Sequence, residues 1–295
     1  MTATDARRAV AGRLADAAPW RHPAAAPALP RATVREARRT TNRVARTFAI
    51  ACRFLPRACR HDVYLLYLVF RTLDDLVDEH RPEAAARVAA VAAWAAGRTQ
   101  ERTPEVDVLE RVDARTPLPR ASFAAFCAGM RTDLEEEPFA TEADVDRYCY
   151  RVAGTVGEVM AAVLGTSDER TAWRAAAALG MAMQRTNILR DIDEDAAGGR
   201  LYLSQEAVFR FGTPVPGVRE ALLREQIARA DALYEEGLAG VRLLSRGRAA
   251  VRVAAWMYRE ILRQIERDGY GARSGRAVVP RQRKLWIATR RAFAP

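Results

Sequence analysis

The chain has 295 residues, 49% of them hydrophobic, and a formal net charge of +10, which is apolar surface enough for a sizeable core. The surplus is almost all arginine and is spread through helical patterns with no base-reading motif beside it, so no nucleic-acid partner is expected. Cys52, Cys59, Cys127 and Cys149 form no C-x-x-C pair, which sets aside zinc ribbons and dithiol redox centres in favour of buried reduced thiols. The longest apolar runs, near Val63 and Ala175, are too short to span a bilayer. The N-terminus carries Asp5 and Asp16 and lacks the apolar stretch of a leader peptide.

In chain order, residues 1–32 read as a mobile Ala/Arg/Pro-rich tail and residues 33–295 as a single helical domain. Helical periodicity predicts segments over Thr41–Leu55, stopped by Pro56, over Ala58 to Asp78 or His80, and over Glu83–Arg98. A loop through Thr103, Thr116 and Pro119 holds a short helix at Val106–Val112. Ser122 is expected to cap a helix reaching Leu134. Thr141 opens a capping-box-like T-E-A-D, starting a helix over Glu142–Leu164. Ser167 leads into another over Asp168–Asp195. Beyond the loop at Ala196–Gly199, helices are expected at Ser204–Val208, Val218–Leu244 and Arg246–Arg267. The turn-rich GYGARSGRAVVP and a short basic helix end the chain. No alternating β-pattern or internal repeat interrupts this, so the fold class is all-α.

Phe70–His80 reads FRTLDDLVDEH. Asp74 and Asp78 lie four apart on one helical face, with Asp75 offset by about 100° and Arg71 one turn before. Like charges at that spacing repel, and the helix upstream (VYLLYLVF) is too apolar to be a solvated surface element. Cations would resolve the conflict, since Mg²⁺ takes carboxylate and phosphate oxygens. Gln184–Asp195 reads QRTNILRDIDED, placing Gln184, Asn187, Asp191 and Asp195 along a second stripe with Arg190 beside it. Arg200 and Tyr202 follow the next loop. Two carboxylate rows on separate helices, facing each other across a cavity, are suited to holding Mg²⁺ ions that bind a diphosphate and ease its departure. The carbocation left behind needs a dry apolar pocket, which the neighbouring helices can form.

A third stretch, RYCYRVAGTVGEVM (Arg147–Met160), carries Gly154 and Gly157 inside a helical pattern, where each costs roughly 1 kcal/mol relative to Ala. A kink, close helix packing or the approach of a ligand chain would account for them. Glu135, Glu136 and Glu137 read as a solvated turn.

These three stretches together resemble the squalene/phytoene synthase family over roughly residues 40 to 285: R-x-x-D-D-x-x-D at Arg71–Asp78, Y-C-x-x-V-A-G-x-V-G at Tyr148–Gly157, and Q-x-x-N-x-x-R-D-x-x-x-D at Gln184–Asp195, followed by R-x-Y at Arg200–Tyr202. The resemblance implies an all-α isoprenoid synthase bundle around a central cavity. It makes Asp74, Asp78, Asp191 and Asp195 the metal-binding carboxylates with Asn187 beside them. Arg71, Arg190, Arg200 and Tyr202 fall on the diphosphate side with Gln184, while Phe48, Tyr67, Val152, Gly154, Gly157 and Tyr258 border the hydrocarbon. Two positions depart from the family pattern. Ala45 and Thr47 stand in a motif that usually has two serines before Phe48, and Ser204 replaces a usual proline after R-x-Y-x.

The implied reaction joins two allylic prenyl diphosphates head to head through a cyclopropylcarbinyl diphosphate, giving phytoene when the substrate is geranylgeranyl diphosphate. Mg²⁺ (or Mn²⁺) is the expected cofactor. NADPH is not expected, because the squalene synthases that use it are longer and end in a membrane anchor. Two other readings stay open: a terpene cyclase or transferase acting on one diphosphate, and a non-catalytic isoprenoid-binding protein. The protein is expected to be cytoplasmic, as a monomer or homodimer, with peripheral, salt-sensitive attachment to the inner face of the membrane.

Overall fold

The computed structural model describes residues 31–44, 46–98, 102–135 and 138–292. Helices run α1 (Arg31–Val44), α2 (Arg46–Cys52), α3 (Arg57–Asp78), α4 (Ala84–Ala95), α5 (Pro104–Asp113), α6 (Arg120–Glu135), α7 (Glu142–Cys149), a π-helical turn (Tyr150–Gly154), α8 (Thr155–Leu164), α9 (Glu169–Ala197), α10 (Gln205–Phe211), α11 (Glu220–Gly240), α12 (Arg248–Arg267) and α13 (Arg281–Ala292). Among the described residues no strand forms beyond a single bridge between Thr166 and Leu244, so the all-α expectation holds. The tail read over residues 1–32 lies outside the described residues up to residue 30, and Arg31 already belongs to α1.

Side-chain caps set several of the boundaries. Thr141 accepts from Asp144 N while the Asp144 carboxylate accepts from Thr141 N, closing the expected box at α7. Thr103 caps α5 with Pro104 at the first helical position. α9 is capped by Asp168, which accepts from Thr171 N at 3.2 Å, rather than by Ser167. Ser122 is not a cap: α6 begins at Arg120, and the buried Ser122 hydroxyl donates to Glu158 Oε2 at 2.6 Å. The segment expected as Glu142–Leu164 is divided at the π-helical turn, where one extra residue per turn re-aims Tyr150 to Gly154 without ending the helix.

α9 is the central element, packed on α8, α11, α12 and the π turn. Its stretch Ala175–Ala182 (AAAALGMA) is mostly alanine and glycine, which lets these neighbours approach at backbone distance. A Cβ on Gly157 would lie 2.1 Å from Ala176 O, and one on Gly180 would lie 2.1 Å from Ala153 O. The two glycines thus form a reciprocal crossing of α9 with α8 and the π turn before it. Gly180→Ala is expected to force the helices apart, costing about 3 kcal/mol and lowering the melting temperature by roughly 5–10 °C, as a thermal melt would show. One apolar cluster gathers α3 to α6 and α8, including Phe70 stacked on Phe123 and Trp94 edge-on to Phe123. A second gathers α7 and α9 to α12. All four cysteines are buried and free. Among the described residues no helix is long and apolar enough to cross a membrane.

Candidate active site

Between the two clusters lies a cavity of ≈ 360 Å³. Along α3 it is lined by Val63, Tyr67, Phe70, Arg71 and Asp74. Along α9 it is lined by Ala172, Ala176, Leu179, Gly180, Met183, Gln184 and Asn187. Both helices therefore run along it with their C-terminal ends at the same mouth. Residues 172 to 187 span about 22 Å at the helical rise. The remaining wall includes Phe48, Ala51 and Cys52 of α2, Val152, Val156 and Gly157, and Val251, Ala254 and Tyr258 of α12. Among the described residues Arg71 and Asp74 are the only charged ones that line it.

The expected site residues sort into wall and mouth. Phe48, Tyr67, Val152, Gly157, Gln184, Asn187 and Tyr258 border the cavity with Arg71 and Asp74. Gly154 does not: it packs against Ala177 O and Met181, so its role is helix contact. Asp78, Asp191, Asp195, Arg190, Arg200 and Tyr202 form the mouth. The two acidic rows meet there, because Asp78 is close enough to Asp195 to raise its carboxyl further, and Arg200 from beyond α9 reaches Asp78 at 3.4 Å. Acids at the C-terminal ends of α3 and α9 also face the negative ends of both helix dipoles, with no basic residue in either last turn. Such an arrangement opposes stability and favours a cation.

Electrostatics follow the same geometry. The Asp74 side chain keeps 42% of its surface accessible, but it sits in a cleft with protein on most sides. Burial, then Asp78, pushes its carboxyl up to about 7 despite Arg71 at 3.0 Å. Asp195 is pushed up to about 6 by burial and then by Asp191. Asp191 departs from the expected repulsive row. It is paired with Arg190 (2.8 and 2.5 Å) and with Arg276 (2.9 Å), and Arg190 also bonds Tyr258.

Two mouth residues escape a reading of the sequence. Asp133, on α6, accepts from Tyr148 Oη at 3.2 Å and Tyr202 Oη at 3.5 Å, and burial raises its carboxyl to about 6. The two tyrosine rings stack at 5.4 Å. Asp133 shares α6 only with Glu135, two residues on and so on another face, and no acidic row marks it. Arg276 comes from the glycine-rich loop after α12, where the sequence pattern shows only a turn. The two departures also resolve in part. Ser204 is fully buried, donates to Glu142 Oε1 at 2.5 Å and caps α10 through Ala207 N, so it shapes the loop behind Tyr202 and does not face the diphosphate side. Ala45 lies outside the described residues.

The donors fit a hard divalent cation. Asn187 Oδ1 is buried with no hydrogen-bond partner, its amide nitrogen turned to Gln184 at 3.3 Å, which leaves a free acceptor between the rows. All the other candidate donors are carboxylate oxygens, as Mg²⁺ prefers. Among the described residues no three His, Cys, Asp or Glu side chains converge to hold an ion alone, so phosphate oxygens and water would complete each coordination shell. Arg71 Nε is likewise buried without a partner, a donor suited to an anion at the same end.

Residues 41–283 match the family model for squalene/phytoene synthases. The chain is 38% identical over 278 residues to a 15-cis-phytoene synthase of Synechococcus elongatus, covering 85% of this chain and 89% of that one. It is also 38% identical over 244 residues to a phytoene synthase of Thermus thermophilus, covering 76% and 80%. Among solved structures it is similar to a dehydrosqualene synthase in complex with ligand, with a TM-score of 0.79 and 27% identity over 88% of this chain and 95% of that one. A squalene synthase from Alicyclobacillus acidocaldarius matches with a TM-score of 0.70, at 27% identity over 82% and 95%. A hydrocarbon-lined helical cavity closed by two acidic rows, with these relatives, makes the chain a prenyl transferase belonging to the squalene/phytoene synthase family.

Proposed function

We propose that the protein condenses two molecules of geranylgeranyl diphosphate head to head to phytoene. The observation that carries this is the cavity: apolar along its length, charged at one end only, and bordered there by two acidic rows. Its length, about 22 Å by helical rise, suits an extended chain of four isoprene units, and relatives of 38% identity bear the phytoene synthase name.

Ionisation of the first substrate breaks its C1–O bond and releases diphosphate. The double bond of the second substrate attacks the allylic cation, and loss of one proton closes the cyclopropane. A second C1–O cleavage, rearrangement and loss of a second proton give the hydrocarbon with its central double bond, so no hydride donor is needed. Mg²⁺ held by Asp74, Asp78, Asn187, Asp191 and Asp195 would neutralise charge on the departing diphosphate. The chain's own groups do the rest. Arg71 offers Nε to the anion. Arg190 and Arg200 are guanidinium forks at the mouth. Phe48 and Tyr67, stacked at 4.9 Å, present ring faces that favour a nearby carbocation. Burial keeps Tyr67 and Tyr202 neutral phenols, and the apolar wall excludes water that would quench the cation. Because the product is insoluble in water, peripheral attachment to a membrane belongs to this reading.

Incubation with C10, C15 and C20 diphosphates and Mg²⁺, followed by mass spectrometry of extracts, tests it. The expected result is a C40 hydrocarbon from the C20 substrate and little product from the shorter ones. Cyclic or C20 products would show single-substrate chemistry instead.

A further inference from the structure

Five arginines and one glutamate lie in α1, and four arginines and one lysine, with no acid, lie in α13. These two helices therefore hold nine of the chain's ten surplus positive charges. α1 precedes the short helix α2 in the chain, and α13 packs on both α2 and α12. On the inner side of α13, Ile287 and Ala288 pack against Ala51 and Met257. On its outer side Leu285 and Trp286 stand 60% and 55% exposed, with Arg290 5.0 Å from the Trp286 ring centre. The same helix α2 gives Phe48 and Cys52, with Ala51, to the cavity wall. A single short helix thus separates the hydrocarbon cavity from a basic surface bearing a large aromatic and an aliphatic side chain.

We propose that the α1–α13 face docks on the anionic leaflet of a bilayer, with Leu285 and Trp286 at the headgroup boundary and α2 as the wall nearest the lipid. This rests on the product being a water-insoluble hydrocarbon, and it specifies which surface meets the membrane. Charge complementarity selects the occupant. Concentrated Lys/Arg beside Trp and Leu is the composition of an interfacial helix. Residues 1–30 carry four arginines and two aspartates and, like a second copy of the same face, would be repelled by it.

The test is co-sedimentation of the full chain with phosphatidylcholine vesicles and with phosphatidylcholine–phosphatidylglycerol vesicles at low and high salt. The expected result is retention on the anionic vesicles only, released by salt. Leu285→Ser/Trp286→Ser and Arg35→Gln/Arg39→Gln/Arg281→Gln should each weaken it at least about tenfold. Phe209→Ser, which removes a 95% exposed aromatic from α10, should leave it unchanged. All three variants should keep diphosphate release from detergent-dispersed substrate within about twofold of the parent. Retention that survives both α1–α13 variants, or falls only with Phe209→Ser, would overturn this face while leaving membrane attachment standing. No retention of the parent on either vesicle, or tighter capture by an RNA oligonucleotide than by anionic lipid, would overturn the lipid partner itself. Coupling activity, measured separately, is unaffected by either outcome.

Discussion

Replacing Asp74 with asparagine is expected to cut turnover at least about a hundredfold, roughly 2.7 kcal/mol of transition-state stabilisation, while leaving the metal-free protein at pH 8 as stable as the parent or more so. The first part follows from removing one carboxylate from the cavity end where the leaving group's charge develops. The second follows from linkage. Asp74 is raised to about 7 by burial and by Asp78, against about 3.9 in an unfolded chain. A carboxyl raised in this way binds its proton more tightly when folded. Its contribution is therefore favourable at low pH and is lost as the pH climbs through 7, where the ionised group sits beside other acids. Asp195, raised to about 6, acts in the same sense. Melting curves without metal should show the parent losing stability between about pH 4 and pH 7, and Asp74→Asn losing less. Mg²⁺ with diphosphate should stabilise the parent more than the variant. Asp191→Asn should be equally inactive but less stable than the parent, because it deprives Arg190 and Arg276 of their shared carboxylate. Near-normal turnover in Asp74→Asn would sink the metal assignment.

The largest loss of stability is expected from Arg185→Met. Arg185 is 2% exposed and spends its guanidinium on Asp146 (3.0 and 2.6 Å), Glu142 (3.0 Å) and Gln226 (2.9 Å). These bonds tie α9 to α7 and α11. Glu142 also accepts from Ser204 and from Gln226 Nε2 at 3.1 Å. Burial works to raise its carboxyl, but these bonds and Arg185 outweigh that and hold it below its ordinary value. A depressed carboxyl stabilises above its unfolded pKa, so this contribution fades only as the pH falls below the ordinary carboxylate range. Removing Arg185 strands buried Glu142, at a cost of about 3–5 kcal/mol, or roughly 10 °C in melting temperature. Arg185 does not line the cavity, so turnover measured well below the melt should stay within a few-fold. A melting temperature within a degree or two of the parent's would show that the network contributes little.

Arg185 also marks the limit of what the sequence discloses. Gln184 and Arg185 are neighbours on one helix, yet one borders the substrate cavity and the other locks the scaffold. Periodicity recovers the stripe of Gln184, Asn187, Asp191 and Asp195 because a repeat of four is a helical face. It cannot say that Asp191 is claimed by Arg276, which lies 85 residues further on. Helices α3, α9 and α12 are legible because they are long and apolar on the faces they bury. The π turn at Tyr150–Gly154 is not: it lies where the backbone passes Gly180 at Ala153, a contact between separate segments that local propensity does not record. Ser204 reads as a departure on the diphosphate side, whereas its hydroxyl is spent on Glu142, 62 residues earlier. Asp133 has no local partner to announce it: its two tyrosines come from α7 and from the loop after α9.

Head-to-head coupling is tested most directly by stoichiometry. Equal amounts of C20 diphosphate with C1 deuterated and undeuterated are supplied together with Mg²⁺, and diphosphate release is counted against hydrocarbon formed. Two diphosphates per hydrocarbon, with C40 product carrying deuterium from both, one or neither of its halves in near-statistical proportion, is the expected result. One diphosphate per product, with the label confined to C20 species, would contradict it.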